Sequence, residues 1–391
     1  MTTPRLANMA PPETYRLRIP GPTAVPERVR LAMARPVQAH RGAEFKAILA
    51  AAVERLAPVF GTRNRILLHS SSGTGMMEAA LVNVLAAGER ILVIENGQFG
   101  ERFSQIAKAY GVVVDPLVVP WGEEADPADV AKRLASADYR AVVMVHNESS
   151  TGVAADLAAV GRVVAKTPAL LVVDSVSGLG GMPIGQDAAG VDVLVTGSQK
   201  ALMSPPGIGL ASVSEKAWTV VGRDDRLPRF YFDFRKARDS AEKGDTTFTG
   251  PVSLVYALNE ALAMMHEEGL ERVFARHARL SRALKAGAAA IGLENFTRSR
   301  HQSTTVAVFH APKGYDGGAI VRGMYERHRS VIAGARNRLS GKVIRIGTMG
   351  AVTDSDVLTD LAHLEDVLAS LGLALEAGAG VAAAARALAA H

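Results

Sequence analysis

Two residues of this chain, an aspartate and a lysine, have the types and the spacing for covalent amine chemistry. Asp174 directly follows the apolar run LLVV, so its carboxylate is expected at a buried strand end, where it needs a cationic partner or hydrogen-bond donors. Lys200 follows 26 residues later, which leaves room for one helical crossover and one more strand. A lysine at such a desolvated strand end can form a Schiff base with a carbonyl compound.

A third feature, the run SSSGTG at positions 70–75, lies between a predicted strand and a predicted helix. The free N–H groups and the dipole at the start of a helix favour a phosphate there. Gly73 and Gly75 also fit the start of a dinucleotide fingerprint, with Glu95 as a ribose-binding acid 20 residues beyond Gly75. The third glycine of that fingerprint is missing, because Glu78 occupies its position. The hydroxyl-rich run therefore suits a single phosphate monoester better.

A phosphate cradle, a lysine and an opposed acid together suggest pyridoxal phosphate as the cofactor. The acid would keep the pyridine nitrogen of this cofactor protonated, because an opposite charge nearby favours the charged form. The chain has no cysteine, which excludes disulfides, thiolate metal sites and a cysteine nucleophile. Its ten histidines show no H-E-x-x-H spacing, so no metal site is predicted.

The elements that must position these residues form an alternating pattern. Short apolar runs alternate with segments of helical period, which predicts an α/β fold with a mainly parallel sheet flanked by helices. In such a sheet ligands bind at the carboxyl ends of the strands, and each of these runs ends in a polar cluster. The runs lie at 65–70, 90–96, 141–150, 169–175 and 192–200.

Length and composition indicate a globular protein with more than one domain. The chain has 391 residues, of which 48% are hydrophobic and 21% are charged, and its net charge of +5 is scattered. We expect an N-terminal arm (1–22), a large cofactor-binding domain (23–268) and a smaller C-terminal α/β domain (269–391). Helical patterns begin near 252 and 354, and strand-like runs lie at 304–312 and 342–350.

The partners and the location follow from what the sequence lacks. It has no block of positive charge of the kind that binds nucleic acid. It has no apolar stretch approaching the roughly 18–20 residues that span a bilayer, and no N-terminal pattern of a signal peptide. We expect a cytoplasmic protein with small-molecule substrates and neither a nucleic-acid nor a membrane partner.

Motifs along nearly the whole chain resemble the alanine–glyoxylate/serine–glyoxylate group of class V aminotransferases, which are fold-type I pyridoxal phosphate enzymes. The motifs that carry the resemblance are PGPT (20–23), SSSGTGMMEAALVNVL (70–85), ENGQFGERF (95–103), HNESSTG (146–152), VVDSVSGLGG (172–181), TGSQKAL (196–202) and VIRIGTMG (343–350). The resemblance implies ping-pong transamination from alanine or serine to glyoxylate or pyruvate. Related donors such as ureidoglycine, aminoethylphosphonate or aspartate stay open, and a nicotinamide-dependent dehydrogenase is a further alternative.

The resemblance also implies roles for individual residues. Lys200 would bind the cofactor aldehyde and move protons, and Asp174 would pair with the pyridine nitrogen. The remaining roles are stacking on the cofactor ring by Phe99 and Val176, contact with its phenolic oxygen by Ser150, and phosphate binding by Ser72, Gly73, Thr74 and Gln199. Thr249 would reach the phosphate from a neighbouring subunit, which implies a homodimer with shared active sites.

Two further positions concern the substrate. Arg345 matches the family's carboxylate-binding arginine, and the loop around Gly21 is expected to close over the substrate. Arg345 lies inside the apolar run VIRIG, where an arginine is costly unless it is paired, so a bound carboxylate or an internal salt bridge is expected. The chain departs from some family members at Thr74, where they have histidine, and at Thr246, where they have tyrosine. These departures weaken the substrate assignment more than the cofactor assignment.

Overall fold

The computed structural model describes residues 16–390. Residues 1–15 of the predicted arm and residue 391 lie outside the described residues. The helices are α1 (Glu27–Met33), α2 (Ala43–Phe60), α3 (Gly73–Val84), α4 (Gln98–Ala109), α5 (Pro127–Ser136), α6 (Leu157–Val164), α7 (Glu215–Val221), α8 (Phe234–Ala241), α9 (Val252–Glu268), α10 (Leu270–Ala290), α11 (Gly317–His328), α12 (Asp354–Ser370) and α13 (Ala379–Ala389). The strands are β1 (Arg16–Leu17), β2 (Ile66–Ser71), β3 (Arg90–Glu95), β4 (Val113–Val118), β5 (Ala141–Val145), β6 (Asn147–Glu148), β7 (Val153–Ala154), β8 (Leu170–Asp174), β9 (Val193–Gly197), β10 (Gly207–Val213), β11 (Val306–His310), β12 (Ser330–Val331), β13 (Ala333–Gly334) and β14 (Val343–Gly347).

Seven strands form one sheet in the order β2-β10-β9-β8-β5-β3-β4. All neighbouring pairs are parallel except the two that β10 makes with β2 and β9. Because β10 is antiparallel to both of its neighbours, β2 points in the same direction as β9 and the other parallel strands. The five predicted runs each contain one of these strands, so their polar carboxyl ends share one edge of the sheet. The mainly parallel α/β fold is confirmed.

The antiparallel strand β10 was not among the predicted strands. Its sequence GIGLASV contains two glycines and follows the Pro-Pro pair at 205–206, a composition typical of turns rather than of strands. Burial between β2 and β9 overrides this local preference. The consequence for the site is small, because β10 lies between β2 and β9 without changing the direction in which these two strands point.

Both faces of the large sheet are covered, which explains its continuous apolar strands. In β3, Leu92 and Ile94 belong to a buried cluster with helices α2, α6 and α9. The alternate residues Ile91 and Val93 belong to a second cluster with α3, α4, α7 and α8. Among residues 16–390, no helix is long and apolar enough to cross a membrane.

The C-terminal part has its own layer of strands and its own core. Strands β11, β14 and β13 form a three-stranded antiparallel sheet, and α10 to α13 contribute to a separate buried cluster. The long helical pattern predicted from 252 is split at Gly269, which has a φ of 89°. Thr353 and Asp356 form a capping box at the start of α12, near the predicted start of this helix at 354. The domain limits at 22/23 and 268/269 stay a prediction.

The segment 16–23 connects this C-terminal part to the large sheet. Strand β1 pairs in parallel with β12, and the carbonyl of Arg18 accepts a hydrogen bond from Gly347 N at 2.7 Å. The Arg18 side chain forms a buried ion pair of 2.6 Å with Asp360 of α12. Beyond these anchors the segment reaches Lys200, as described below.

Candidate active site

A cavity of about 230 Å³ lies at the carboxyl edge of the large sheet. It brings together eight of the predicted site residues, namely Ser72, Gly73, Thr74, Phe99, Asp174, Val176, Gln199 and Lys200. It is also lined by residues that were not predicted, namely Met77, Arg102, Val145, Asn147, Ser149 and Ser177. The acid and the amine on which the sequence interpretation depended therefore face one space.

The start of α3 forms an anion-binding corner of this cavity. Ser72 caps the helix by accepting a hydrogen bond from Gly75 N at 3.2 Å. The N–H groups of Gly73 and Thr74 have no hydrogen-bond partner among the described residues. A Cβ at Gly73 would lie 2.6 Å from Val176 Cγ2, so only glycine lets Val176 approach this backbone. The side-chain amide of Gln199 makes no hydrogen bond among residues 16–390, and its Oε1 is buried.

Asp174 ends the central strand β8 and is 3% exposed. Its Oδ1 accepts a hydrogen bond of 2.7 Å from Val176 N. The pKa of Asp174 is raised to about 7, chiefly by burial and in part by the negative charge of Glu148, while the hydrogen bond from Val176 N and the charge of Lys200 oppose the rise. A cationic ligand would strongly stabilise the ionised form of a carboxyl with this pKa, because an opposite charge offsets the cost of burying the anion.

Lys200 follows β9 and reaches into the cavity beneath the segment 16–23. Its Nζ donates to the carbonyl of Pro20, and its own carbonyl accepts from Thr23 Oγ1 at 3.0 Å. The pKa of Lys200 is lowered to about 8, chiefly by burial and in part by the charges of Arg345 and Arg102, whereas Asp174 opposes the shift. A substantial fraction of the amine is therefore neutral near pH 8, as nucleophilic and basic chemistry requires.

Gly21 lies directly against this lysine. Its φ is 103°, a region that favours glycine, and a Cβ there would lie 2.3 Å from Lys200 Cδ. The predicted loop around Gly21 thus covers the reactive amine, whereas its proposed closure over a substrate stays a prediction.

Phe99 and Arg102 lie on the first turns of α4 and both line the cavity. The Arg102 guanidinium lies 4.5 Å from the centre of the Phe99 ring, and its Nη1 donates to Thr74 Oγ1 at 2.9 Å. Sequence reasoning missed Arg102. The signal was its position three residues after Phe99, which places both side chains on one helix face.

Ser150 does not line the cavity. Its hydroxyl donates to Glu148 Oε1 at 2.6 Å and accepts from Gln98 N at 3.0 Å, so it lies behind the wall that carries Phe99. Its predicted contact with the cofactor stays a prediction. Glu148, quoted in the motif HNESSTG but given no role, is completely buried here.

Arg345 lies on β14 and has no carboxylate partner among the described residues. Its Nε donates to the carbonyl of Gly334 at 2.9 Å, and its Nη1 donates to the carbonyl of Ser149 at 3.1 Å. Burial lowers its pKa from the usual value, and Glu148 opposes this. Arg345 does not itself line the cavity, but it contacts Ser149, which does. The guanidinium forms no ion pair among residues 16–390, so the alternative of an internal salt bridge is not seen.

Two predicted features lie elsewhere. Thr249 is exposed and does not line the cavity of its own chain. It follows Phe248, whose ring stacks on Tyr231. The carboxylate of Glu95 accepts from Ser104 and does not line the cavity, so it is not placed to bind a ribose there. This geometry removes the support for the dinucleotide hypothesis.

Comparisons with known proteins agree with this site. The family model described as aminotransferase class-V matches residues 28–357. A Synechococcus protein named as the small subunit of a soluble hydrogenase is 41% identical over 95% of this chain and 98% of its own length. Serine–glyoxylate aminotransferase of Methylorubrum extorquens is 38% identical over 95% and 96% of the two chains.

Among solved structures, ureidoglycine–glyoxylate aminotransferase from Bacillus subtilis superposes with a TM-score of 0.93 at 31% identity. The match covers 97% of this chain and 99% of that one. The family match covers most of the chain, and the relatives match over nearly their full length. The chain belongs to the class V aminotransferase family.

Proposed function

We propose that this aminotransferase uses pyridoxal phosphate to move an amino group from a small amino acid, alanine or serine, to glyoxylate or pyruvate. The observation that supports it most is that Lys200 and Asp174 share one cavity with a free helix start. We do not propose the hydrogenase activity for which one relative is named. The chain has no cysteine, so it lacks the thiolates that hold iron–sulfur clusters.

The residues present fit the proposed cofactor. The unpartnered N–H groups of Gly73 and Thr74, with the free Gln199 amide, would hold the phosphate. Asp174 would hold the protonated pyridine nitrogen. Without a ligand the Asp174 carboxyl is neutral below about pH 7, but the positive charge of this nitrogen would favour its ionised form.

When bound, pyridoxal phosphate supplies an aldehyde for amines and a ring that accepts electron density. Lys200 then acts as the base, because its lowered pKa of about 8 leaves part of the amine neutral at physiological pH and a single carbonyl holds its Nζ. It would take the proton from the α-carbon of the amino donor and, in the second half of the reaction, would give a proton to the α-carbon of the acceptor. The segment around Gly21 excludes water from this amine.

Arg345 supports a substrate that carries one carboxylate. Its guanidinium is held in orientation by two backbone carbonyls, which leaves its charge for a ligand. Arg338, on the neighbouring loop, is already paired with Glu101 at 2.6 Å. This pairing removes Arg338 as a partner for a second carboxylate, whereas Arg336 on the same loop forms no ion pair within residues 16–390, so aspartate stays an alternative donor.

We also propose a homodimer whose sites are shared, with Thr249 of one subunit reaching the phosphate of the other. Phe230 is 68% exposed and, with Tyr231, stacks on Phe248 beside Thr249. Exposed stacked aromatics mark interaction surfaces. The cytoplasmic location rests on the sequence alone.

Titration of the cofactor-loaded protein with individual amino acids tests the reaction. We expect alanine or serine to abolish the absorbance band of the lysine-bound cofactor, and glyoxylate or pyruvate to restore it. Ureidoglycine, aminoethylphosphonate and aspartate test the alternative donors, and a hydride transfer from a nicotinamide tests the dehydrogenase. Lys200→Ala should bind cofactor without turnover, and normal turnover in this variant would refute the assignment.

A further inference from the structure

A buried carboxylate behind the cavity wall has no role in the reaction described above. Glu148 is completely buried and does not line the cavity. It forms no ion pair within residues 16–390. Burial raises its pKa, and hydrogen bonds from Ser150, Gly100 and Phe99 oppose the rise. A buried carboxylate without a cation is expensive, so its place needs an explanation.

The hydrogen bonds of Glu148 all hold chain segments rather than a ligand. Its Oε2 accepts from Phe99 N at 2.9 Å and from Gly100 N at 3.1 Å. Its Oε1 accepts from the backbone N and the hydroxyl of Ser150, and that hydroxyl accepts from Gln98 N. The first three N–H groups of α4 are thus satisfied from another strand. Glu148 and Ser150 cap this helix from outside it.

The glycine that precedes α4 fits the same explanation. Gly97 is the N-cap position, yet it has no side chain to cap with, and its φ of 173° is open to any residue. A Cβ there would lie 2.3 Å from Glu148 Cγ and 2.4 Å from Cδ. Gly97 is therefore glycine because the Glu148 side chain fills the space of a local cap.

The same short segment also touches the substrate side of the site. Ser149, the next residue, accepts the hydrogen bond from Arg345 Nη1 at 3.1 Å. Burial lowers the pKa of Arg345, and the negative charge of Glu148 opposes this by favouring the charged guanidinium. Residues 148–150 therefore connect α4, which carries Phe99 and Arg102, with the arginine on β14.

We propose that Glu148 is a positioning residue that orients both Phe99 for the cofactor ring and Arg345 for the substrate carboxylate. This inference rests on the proposed function for the identity of the two ligands. In Glu148→Gln, one acceptor oxygen becomes an NH₂ group. In either orientation of the amide, that group opposes backbone N–H donors, either those of Phe99 and Gly100 or that of Ser150, so the connection to the start of α4 is disturbed.

The test compares Glu148→Gln with Ser104→Ala, a control on the same helix. Ser104 is buried, lies outside the cavity and donates to Glu95. The measurements are the melting temperature, the cofactor dissociation constant by absorbance, the visible circular dichroism of bound cofactor, and KM for the amino donor. We expect Glu148→Gln to weaken cofactor binding at least tenfold, reduce the dichroic band and raise KM, whereas Ser104→Ala changes only the melting temperature.

Gly97→Ala provides a second variant if Glu148→Gln does not fold. It keeps the carboxylate but pushes it away from α4. We therefore expect cofactor binding to weaken here too, with a several-fold increase in the dissociation constant. Cofactor affinity, dichroism and KM within twofold of wild type in either folded variant would overturn the inference. A wild-type protein that binds no pyridoxal phosphate would instead overturn the proposed function.

Discussion

Burial moves the pKa values of the two central residues toward each other. The carboxyl of Asp174 has a pKa of about 7 and the amine of Lys200 a pKa of about 8, because both lose water at the same strand edge. Each residue thereby has easy access to its neutral form. An amine and an acid in this condition can exchange protons with a ligand at neutral pH, which exposed residues of the same types do not do.

Asp174→Asn should stabilise the cofactor-free protein at high pH but not at low pH. The folded state keeps the Asp174 proton up to about pH 7, whereas the unfolded chain releases it near pH 4, so stability falls as the pH rises through this interval. Asparagine cannot ionise, and its Oδ1 still accepts from Val176 N. We expect a gain approaching about 4 kcal/mol above pH 7 and almost none at pH 4. Urea unfolding at both pH values measures it, and equal gains at both would contradict the argument.

Arg345→Ala should affect substrate binding more than turnover. Loss of a charge-assisted contact to a carboxylate should raise KM for the amino donor roughly 10- to 100-fold. Arg336→Ala is the matched control, since this exposed arginine lies on the adjoining loop and forms no ion pair within residues 16–390. Steady-state kinetics with alanine or serine measures both variants. Equal changes in KM for the two would remove Arg345 from the substrate site.

At the scale of elements, the sequence predicts site residues that directly follow strands and misses those whose roles depend on tertiary contacts. Asp174, Lys200 and the run at 70–75 follow apolar strands directly, so a parallel sheet places them at one edge whatever its detailed packing. Arg102 and Glu148 differ, because their roles depend on contacts between segments about 30 and 50 residues apart. No local pattern encodes those distances. The strand β10 was missed for the opposite reason, since its glycines favour a turn locally.

The segment 16–23 yields a prediction at this scale, because a buried ion pair fastens it. Arg18→Met leaves the buried Asp360 with only its longer contact of 3.9 Å to Arg16 and should lower the free energy of unfolding by roughly 3 kcal/mol. Loosening this segment should also expose Lys200, whose Nζ contacts Pro20. We expect severalfold faster modification of Lys200 by an amine reagent in the cofactor-free protein.

The control for this prediction is Arg279→Met. It breaks the half-exposed ion pair between Arg279 of α10 and Asp354, which lies on α12 as Asp360 does. This loss should cost less than about 1 kcal/mol of the free energy of unfolding. Its Lys200 should react at the wild-type rate. If Arg18→Met loses stability without faster modification of Lys200, the segment is only a structural anchor and does not protect the amine.

At the scale of the whole molecule, a shared site can be tested by mixing two inactive subunits. If Thr249 serves the partner's site, Lys200 and Thr249 of one chain lie in different sites of the dimer. Thr249→Asp would set a carboxylate against the phosphate and should abolish cofactor retention. Lys200→Ala should abolish turnover. Each homodimer is then inactive.

Mixed dimers of these two variants contain one site with both substitutions and one site with neither. After denaturation and refolding of an equal mixture, about half of the dimers are mixed, so about a quarter of the wild-type activity per subunit should return. Sites formed within one chain would give no recovery, because every site would then carry one substitution. A mixture of each variant with itself, refolded in parallel, controls for losses in refolding. Recovered activity would therefore assign Thr249, exposed on its own chain, to the cavity of its neighbour.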